Sequence, residues 1–357
     1  MLGYVIRRLL LIIPTLIGIT LVVFGTMALA PGDIGKNLLG DEGSMRPQER
    51  EAVRRYLNQR FGLDKPFYMQ YLRWLNNALP LGMVTNEKGE YSRLAFKVPD
   101  LGRSFVRDRP VIDMVADALP ATMLLQVLTI PFIYAIAVTS GVLAARHQGK
   151  LLDIGLGTTF LALWSIPTMW AGVMLIGFLA NKDYAQLFPT AGLHSTASDR
   201  MAFLPTFVGG AFQRGWLLDA LWHLAAPVLT LTYAGFAFMS KVMRASVLDN
   251  LSADFVRTAR AKGVSEPAVL FRHVFRNSIL PLITMASGLL PGLLGGSIIV
   301  EQIFSINGMG KLSLTAIEQR DFEVVLSITL VISLLSLVSI LIADICYTIA
   351  DPRVSYE

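Results

Sequence analysis

The segment from Asp254 to Pro281 contains the residues whose types and spacing best indicate a specific role. It is basic, rich in helix-forming residues, and set between two uncharged apolar runs. Gly263 follows a helix-prone stretch and can end it, because glycine readily adopts the left-handed conformation that closes a helix. Ser265 then stands where it can cap a second helix, with Pro267 at an early position where a missing N–H costs little. The sequence therefore predicts a helical hairpin with a tight glycine turn, which leads into the next apolar run at Pro281.

Two interpretations of this hairpin are open from its residues alone. The stretch that contains it, residues 241–277, carries seven Lys and Arg side chains, which suit a solvated loop held to anionic lipid headgroups. The Gly and Pro punctuation favours instead a defined hairpin that presents a short helix to a soluble partner. Channels and carriers that work alone rarely need such a docking element.

The glycine-rich segment 308–312, GMGKL, is a second candidate for chemistry, because it carries the lysine of a phosphate-binding loop. Such a loop needs Ser or Thr after the lysine and another Gly five residues before the second one. Leu312 and Ser305 occupy those positions, so the segment is not expected to bind ATP.

The single cysteine, Cys346, cannot form an internal disulfide, and no Cys/His spacing indicates a metal site. No cluster of His, Asp or Ser that would serve an enzyme is found at the ends of the apolar runs.

Composition places these features in a membrane protein. Of 357 residues 54% are hydrophobic and 16% are charged, against about a quarter charged in a soluble domain. Six runs of about 20 residues or more lack Asp, Glu, Lys and Arg, and each is long enough to cross the membrane as a helix. They are Leu9–Ala30, Leu119–Ala145, Ile154–Ala180, Ala220–Ser240, Ser278–Val300 and Val324–Ala343. The predicted fold is an all-α integral membrane protein with six transmembrane helices. The first run is longer than a signal-peptide core and is expected to be retained.

The distribution of Lys and Arg predicts the orientation. Twelve fall in the N-terminus, in loops 146–153 and 241–277, and in the C-terminal tail, against five in the short loops of the other side. Cytoplasmic loops carry the excess, so both termini are predicted to be cytoplasmic. The predicted organisation is an N-terminal transmembrane helix (1–30), an external loop subdomain (31–118), a five-helix transmembrane core (119–348) that includes the cytoplasmic segment 241–277, and a cytoplasmic tail (349–357).

The predicted external loop has three recognisable parts. Glu49–Phe61 is patterned as a helix, and the aromatic residues from Phe67 to Trp74 suit a helix lying at the level of the lipid headgroups. Asn86–Lys97 lacks periodicity and is predicted to be an exposed excursion. The loop could receive a soluble partner or cap the external mouth, and composition does not separate these roles.

The apolar runs themselves contain no Asp, Glu, Lys or Arg. Glu301, Asp344, Lys241 and His223 lie at or near run ends, where interfacial positions are predicted. A chain without buried charge has little with which to couple protons to transport, so its energy is expected to come from another subunit.

The fifth run offers a candidate pathway. Three glycines in register, with a proline that breaks the backbone ladder, predict a deformable helix beside a pathway, with ordinary close packing as the alternative. Pro131 and Pro167 predict similar breaks in the second and third runs. The candidate pathway residues are Gln126, Pro167, Gly288, Pro291, Gly292 and Gly296.

Taken with other motifs, the hairpin resembles the coupling segment of ABC importer permeases, and more narrowly of their oligopeptide/dipeptide/nickel branch. RTARAKG at 257–263, followed by His273, Asn277 and Pro281, carries the resemblance. Arg-Thr-Ala stands where the general motif has Glu-Ala-Ala, and Pro281 comes later than usual; both departures are typical of the peptide branch. Further similar segments are YVIRRL at 4–9, APG at 30–32, FGLDKP at 61–66, DLGRS at 100–104, LPAT at 119–122, IFSINGMG at 303–310 and DPR at 351–353. The size and the closing residues 347–356 favour the subgroup that handles oligopeptides and peptide antibiotics of the microcin C type.

The resemblance implies a type I ABC importer permease in a bacterial or archaeal plasma membrane. Its implied partners are a homologous second permease, two cytoplasmic ATPases that bind ATP and Mg, an extracytoplasmic substrate-binding protein and membrane lipid, with no nucleic acid and no cofactor in this chain. The ATPase-coupling residues it implies are Arg257, Thr258, Ala259, Ala261, Lys262, Gly263, Val264, His273, Asn277 and Pro281.

The function expected is therefore inward movement of peptides, driven by ATP that other subunits hydrolyse. A stand-alone channel or facilitator is the alternative that the missing buried charges would also suit. An importer of the same family for nickel, glutathione or another small solute is a further alternative.

Overall fold

A computed structural model describes residues 2–29, 51, 55, 65–85, 91–104, 106–208, 210–286 and 297–350. The chain divides into two compact units. The core unit comprises Pro120–Lys311 and Ser336–Glu357, and the N-terminal unit comprises Leu2–Leu119 and Leu312–Leu335.

Helices dominate the described residues. They are α1 (Leu2–Leu29), α2 (Phe67–Ala78), α3 (Val111–Arg146), α4 (Leu151–Ser165), α5 (Thr168–Met174), α6 (Gly215–Leu251), α7 (Asp254–Ala261), α8 (Glu266–Ala268), α9 (Phe275–Ser278), α10 (Leu280–Ala286), α11 (Ile298–Ile303), α12 (Met309–Glu318) and α13 (Phe322–Ala350). Wider π-helical turns extend α5 through Leu175–Ala180 and join α8 to α9 through Val269–Val274. Two antiparallel hairpins pair β1 (Leu81–Thr85) with β2 (Tyr91–Phe96) and β3 (Thr206–Val208) with β4 (Ala211–Gln213).

Four of the described helices, α1, α3, α6 and α13, are long and apolar enough to cross a membrane. The bent pair Leu151–Ser165 and Thr168–Ala180 makes a fifth crossing if it forms one span. The predicted helical membrane architecture is confirmed to this extent. The predicted run Ser278–Val300 includes residues 287–296, which lie outside the described residues, so the sixth span stays a prediction.

Proline behaves differently in two of the predicted spans. Pro167 lies at the 88° bend between α4 and α5, as the sequence predicts, and the Tyr233 hydroxyl donates a 2.7 Å hydrogen bond to the Ile166 carbonyl beside it. Pro131, in contrast, lies within the continuous helix α3, so the break predicted there is wrong. A proline removes one backbone donor, and an apolar helix that keeps its other hydrogen bonds can tolerate that loss.

Within the core unit, α3 and α6 run in the same direction and approach closely. The hydroxyls of Ser140 and Ser240 are 2.8 Å apart. A Cβ added to Gly141 would lie 2.7 Å from the Met243 Cβ and 2.8 Å from the Ser240 carbonyl oxygen. Glycine is therefore required for this approach of the two helices.

Two apolar clusters mark the ends of this helix pair. One contains Ala121 of α3 and Leu224 of α6, and the other contains Ala145 and Val247 of the same helices. Ala145 is 24 residues after Ala121, which corresponds to about 36 Å of helix and is close to the thickness of a bilayer. The core unit therefore has two distinct ends, one of which carries the hairpin identified in the sequence.

The N-terminal unit contains a short helix and a strand hairpin. The helix predicted near Phe67–Trp74 is present as α2. The excursion predicted over Asn86–Lys97 is partly wrong, because Tyr91–Phe96 forms strand β2 and pairs Phe96 with Leu81 and Leu94 with Met83. All four of these side chains are exposed, so burial imposed no alternating pattern that the sequence could show. The helix predicted over Glu49–Phe61 lies outside the described residues except for Glu51 and Arg55, which are both helical.

The segment before α3 is held against the start of α13 in the same unit. The Ser104 hydroxyl donates to the Asp321 carboxylate, and the Ser327 hydroxyl donates to the Leu101 carbonyl at 2.8 Å. Gly102 has φ +79°, and a Cβ there would overlap the Glu323 carboxylate. These contacts fix where the second and last apolar helices begin relative to each other.

The close approach of α3 and α6 predicts that Gly141→Ala destabilises the protein. The added methyl group must displace Met243 and the Ser240 backbone, which costs about 1–3 kcal/mol. Gly155→Ala in α4 is the matched control, because no atom lies within 4 Å of its added Cβ and alanine favours a helix. Thermal unfolding of the purified protein in detergent should show a lower Tm for Gly141→Ala only; equal Tm values for the two variants would contradict this packing.

Candidate coupling site

Helix α7 buries one narrow face and exposes the rest. Val256 is fully buried and Ala259 is 6% exposed, whereas Arg257, Thr258 and Ala261 are exposed. Asp254 in the first turn suits the positive end of the helix dipole. Val256 and Ala259, three residues apart, therefore lie on the one face of α7 that packs against the rest of the core unit. The opposite, polar face is accessible to a partner.

Gly263 closes α7 in a Schellman motif. Its φ is +76°, and its amide donates to the Arg260 carbonyl at 2.9 Å while the Val264 amide donates to the Ala259 carbonyl at 3.2 Å. The predicted left-handed glycine turn is confirmed. Ser265 takes the predicted N-cap position, but its side chain makes no capping hydrogen bond, so the prediction of a side-chain cap is wrong.

The second arm of the hairpin runs through α8 and its π-helical continuation to α9. Ser278 is fully buried, and its hydroxyl bonds the Val274 carbonyl at 2.9 Å and the Ser246 carbonyl at 3.2 Å. We define Asp254–Ser278 as the coupling hairpin, and its buried residues with those of α3, α6 and α10 as the coupling core. The coupling core consists of Ala145, Met243, Val247, Val256, Ala259, Val269, Leu270, Val274 and Leu282. One continuous apolar cluster thus joins both arms of the hairpin to the ends of two long helices.

A salt bridge spans the glycine turn. Arg260 Nε lies 2.7 Å from Glu266 Oε1, and Arg260 Nη2 lies 3.1 Å from Glu266 Oε2. The hydrogen bonds from Arg260 hold the pKa of Glu266 below its ordinary value, and the carboxylate raises the pKa of Arg260. Both side chains are well exposed, so the bidentate geometry orients the two arms more than it stabilises the fold.

The outer surface of the coupling hairpin combines positive charge with aromatic side chains. Lys262 is exposed at the turn, Phe255 is 39% exposed and Phe271 is 61% exposed. A cleft of about 280 Å³ lies beside the salt bridge, between the hairpin and the ends of α3 and α6. Its lining residues are Ala145, Arg146, Leu251, Arg260, Glu266, Pro267, Leu270 and Phe271. Exposed aromatic and Arg side chains around a small cleft are typical anchors for a protein partner.

The residues predicted for coupling separate into three groups. Arg257, Thr258, Ala261, Lys262 and Gly263 are exposed on or next to α7, whereas Ala259 is buried and Val264 is half-buried. The remaining three lie at the far end of the second arm, where His273 and Pro281 are half-buried and Asn277 is exposed. The Asn277 side chain donates to the His273 carbonyl at 3.2 Å. The structure therefore brings the first two groups together and leaves the third on the way into α10, and the coupling role of each remains a prediction.

Sequence reasoning missed an ion pair near the coupling hairpin between a buried carboxylate and a partly exposed arginine. Asp153 of α4 is 6% exposed, and its carboxylate accepts hydrogen bonds from Arg244 Nε at 2.6 Å and Arg244 Nη2 at 2.7 Å. The Gly149 amide donates to the same carboxylate at 2.9 Å. Both charged residues lie just outside the charge-free runs. The sequence could have indicated this pair only through the possibility that helices α4 and α6 extend beyond the runs and so include both charged residues.

A second buried carboxylate lies at the opposite end of the core unit. Glu301 is fully buried against other parts of the chain, and its interfacial position stays a prediction. The Thr122 hydroxyl donates to Glu301 Oε1 at 2.8 Å, and the Lys311 amide donates to Glu301 Oε2 at 2.9 Å. The Thr122 hydroxyl in turn accepts from the Met309 amide at 2.8 Å. The chain therefore buries carboxyl groups, among them those of Asp153 and Glu301, although the apolar runs themselves contain none.

The glycine-rich segment 308–312 encloses this carboxylate. A Cβ on Gly308 would lie 2.5 Å from the Glu301 carboxyl carbon, and one on Gly310 would lie 2.7 Å from the Ile298 amide nitrogen. Backbone amides surround the oxygens of this carboxyl group much as they surround a phosphate in a phosphate-binding loop, but here the group is a side chain of the same protein. Gly308 and Gly310 therefore allow the backbone of segment 308–312 to pack closely around Glu301.

His223, also predicted to be interfacial, packs against Asp219 of the same helix. Its side chain is 9% exposed, and its Nδ1 atom lies 2.9 Å from the Asp219 carbonyl oxygen and 3.7 Å from the buried Asp219 carboxylate. That carboxylate accepts a 2.7 Å hydrogen bond from the Ser195 amide. Asp344 is half-buried and Lys241 is exposed, as residues near a span end can be.

The predicted pathway residues are only partly described. Pro167 is exposed at the bend in the third apolar stretch, and Gln126 is half-buried in α3. Gly288, Pro291, Gly292 and Gly296 lie outside the described residues. Their pathway role stays a prediction.

The fold and the site define a helical membrane protein with a rigid surface hairpin beside the ends of its long helices. Residues 137–356 match the family described as binding-protein-dependent transport system inner membrane component, and residues 1–126 match the N-terminal part of such membrane components. The chain belongs to this family of inner membrane components. The sequence resemblance to ABC importer permeases of the oligopeptide permease B type is thereby confirmed.

Similar proteins cover the whole chain. It is 36% identical over 359 residues to the oligopeptide transport system permease protein AppB of Bacillus subtilis (strain 168), with 100% of both chains covered. It is 32% identical over 358 residues to the di/tripeptide transport system permease protein DppB of Pseudomonas aeruginosa (strain UCBPP-PA14), again with 100% of both covered. The inner membrane ABC transporter permease protein YejB of Escherichia coli O157:H7 is 30% identical over 388 residues, with 99% of both covered.

The buried hydrogen-bond network predicts different outcomes for two changes at Thr122. Thr122→Val keeps the shape but leaves the Met309 amide and one Glu301 oxygen without their partner, which costs about 1–3 kcal/mol for each buried group. Thr122→Ser keeps the hydroxyl and loses one methyl group, so it should cost about 1 kcal/mol. Thermal unfolding should rank valine well below serine, and equal losses would show that packing matters here and the hydrogen bonds do not.

Proposed function

We propose that this protein is the permease subunit of an ATP-driven importer of peptides and forms half of its translocation pathway. The observation that carries the proposal is the coupling hairpin, a rigid surface element packed on the ends of α3 and α6. The similarity to oligopeptide and di/tripeptide transport permeases over the full chain supports the substrate class. A homologous second permease would supply the other half of the pathway.

In the proposed topology, six helices cross a bacterial or archaeal plasma membrane and both termini are cytoplasmic. Six charge-free runs and the excess of Lys and Arg on one side support this arrangement. The coupling hairpin and the turn at Gly149 are near one end of the core unit, whereas Glu301 and the loop around His194 are near the other. We assign the hairpin end to the cytoplasm and the other end to the external side, where a substrate-binding protein would deliver the peptide.

The proposal assigns energy use to other subunits. Two ATPase subunits bind ATP and Mg in the cytoplasm, and this chain contributes no catalytic residue. Closure of the ATPase pair pushes on the exposed face of α7, and the coupling core transmits the displacement to α3 and α6. A densely packed apolar cluster transmits such a displacement well, because protein interiors have low compressibility.

The complete transporter provides the direct test of this function. We expect the tagged chain, purified gently from its native membrane, to bring along a homologous permease and one or two kinds of ATPase subunit. Vesicles that contain the complex and the binding protein should accumulate labelled peptide only when ATP is supplied. Equal uptake without ATP and without the ATPase subunits would identify a stand-alone channel, and uptake of nickel or glutathione in place of peptide would correct the substrate class.

Substitutions at Gly263 test whether its turn couples ATP use to transport. Gly263→Val places a β-branched residue at φ +76°, which costs about 1–3 kcal/mol of backbone strain, and we expect transport to be largely lost while the protein still inserts. Gly263→Asn should retain most transport, because asparagine tolerates the left-handed conformation. The assay is ATP-dependent uptake, normalised to the amount of assembled complex.

Gly149→Val is the matched control for backbone strain. Gly149 has φ +74° in the turn between α3 and α4, and no atom lies within 4 Å of the position of an added Cβ at either glycine. The two valine variants should therefore carry similar strain, but only Gly263→Val should lose uptake. Equal uptake by the two would remove the special role assigned to the turn at Gly263.

A further inference from the structure

Helix α2 makes its contacts with α1 at an unexpected depth. The Tyr71 hydroxyl lies 3.0 Å from the Ile17 carbonyl oxygen and 3.0 Å from the Thr20 hydroxyl, and its ring lies 5.4 Å from that of Phe24. Tyr71 and Trp74 are each 5% exposed. These two aromatic side chains therefore pack inward beside α1, where the sequence predicted anchors at the lipid headgroups.

The sequence of α1 sets the depth of this contact. In the proposed topology Arg7 and Arg8 lie at the cytoplasmic boundary of the bilayer. Thr20 is twelve residues from Arg8, or about 18 Å along the helix, and the hydrocarbon core is about 30 Å thick. The hydrogen bond between Thr20 and Tyr71 consequently lies near the middle of the membrane, far below the external surface. A tyrosine side chain reaches only about 6–7 Å from its Cα, so the backbone of α2 must lie within the outer leaflet.

The residues of α2 are arranged as such a position requires. Tyr71, Trp74 and Ala78 form the buried face toward α1. Gln70, Arg73 and Asn77 form a polar stripe at the same helical spacing on another side. Met69 and Leu72 lie on the side of the helix opposite α1, and they are 45% and 58% exposed.

The charged residue of α2 indicates which side of the helix faces the external boundary of the membrane. Arg73 is the only charged residue of the helix, and it attracts Glu323 in the first turn of α13 electrostatically. The proposed topology places the first turn of α13 at the external boundary, so Arg73, which attracts Glu323 there, lies near that boundary. A helix with its one charge on a polar stripe, and with the amide side chain outside that stripe, Asn76, hydrogen-bonded to Met83, suits a position in the plane of the membrane just below that boundary.

We propose that α2 is embedded in the outer leaflet, with Met69 and Leu72 in contact with lipid acyl chains and the Gln70–Arg73–Asn77 stripe facing the headgroups. The segment between the first and second spans is then not wholly external, because the chain returns into the membrane at α2. The hairpin β1–β2 follows directly, and the Asn76 side chain holds it by hydrogen bonds with the Met83 amide and carbonyl of 2.6 and 3.1 Å. This proposal rests on the orientation of α1 under the proposed function.

Spin-label accessibility in the assembled transporter tests the proposal. The native cysteine is first replaced by Cys346→Ser, and single labels are placed by Leu72→Cys, by Val22→Cys on α1 and by Arg107→Cys as an aqueous reference. The complex is reconstituted in phosphatidylethanolamine–phosphatidylglycerol vesicles, and uptake is measured to show that each variant still works. Collision rates are then compared for oxygen, which concentrates in the hydrocarbon, and a neutral nickel chelate, which stays in water.

The expected result is a high oxygen-to-nickel collision ratio at Leu72, similar to that at Val22 and well above that at Arg107. A low ratio at Leu72, with a high ratio at Val22, would place α2 in water and overturn the proposal while leaving the span of α1 intact. Low collision rates with both reagents at Leu72 would mean that a protein subunit covers it, which also overturns lipid contact. A low ratio at Val22 would instead overturn the membrane placement of α1 and the proposed topology with it.

Discussion

The apolar coupling core is the feature on which the rest of the arrangement depends. Val256 and Val269, from the two arms of the hairpin, are fully buried against Met243 and Val247 near the end of α6. Apolar burial has no directional preference, but close packing does, since each side chain fills a space that its neighbours define. The hairpin and the helix ends beneath it therefore share one packed apolar interface. A basic loop held to lipid headgroups would have no such connection.

Backbone geometry explains how the sequence makes this hairpin so compact. The left-handed turn at Gly263 reverses the chain within a few residues, and its amides satisfy the Ala259 and Arg260 carbonyls near the end of α7. The salt bridge between Arg260 and Glu266 lies across the same turn. Exposed pairs of this kind add little stability. The turn and the buried cluster therefore stabilise the hairpin, and the ion pair mainly orients its two arms.

Buried carboxyl groups at both ends of the core unit also determine how its helices are arranged. Asp153 with Arg244 joins α4 to α6 near the hairpin, and Glu301 with Thr122 joins α11 to α3 at the opposite end. A buried carboxylate is costly unless its oxygens are hydrogen-bonded, so each site specifies one arrangement of the elements around it. These groups consequently act as fixed points between which the long helices pack.

The sequence by itself determined the class of the protein, most of its long apolar helices and the glycine turn. Those features depend on local properties, namely run length, net charge and the conformational freedom of Gly263, which need no knowledge of distant residues. Only the tertiary structure decided that Pro131 leaves α3 unbroken, that Glu301 is buried, and that Tyr71 points into α1. Each of these outcomes depends on partners more than 50 residues away in the chain or on packing that compensates a local defect, and neither is encoded in local spacing.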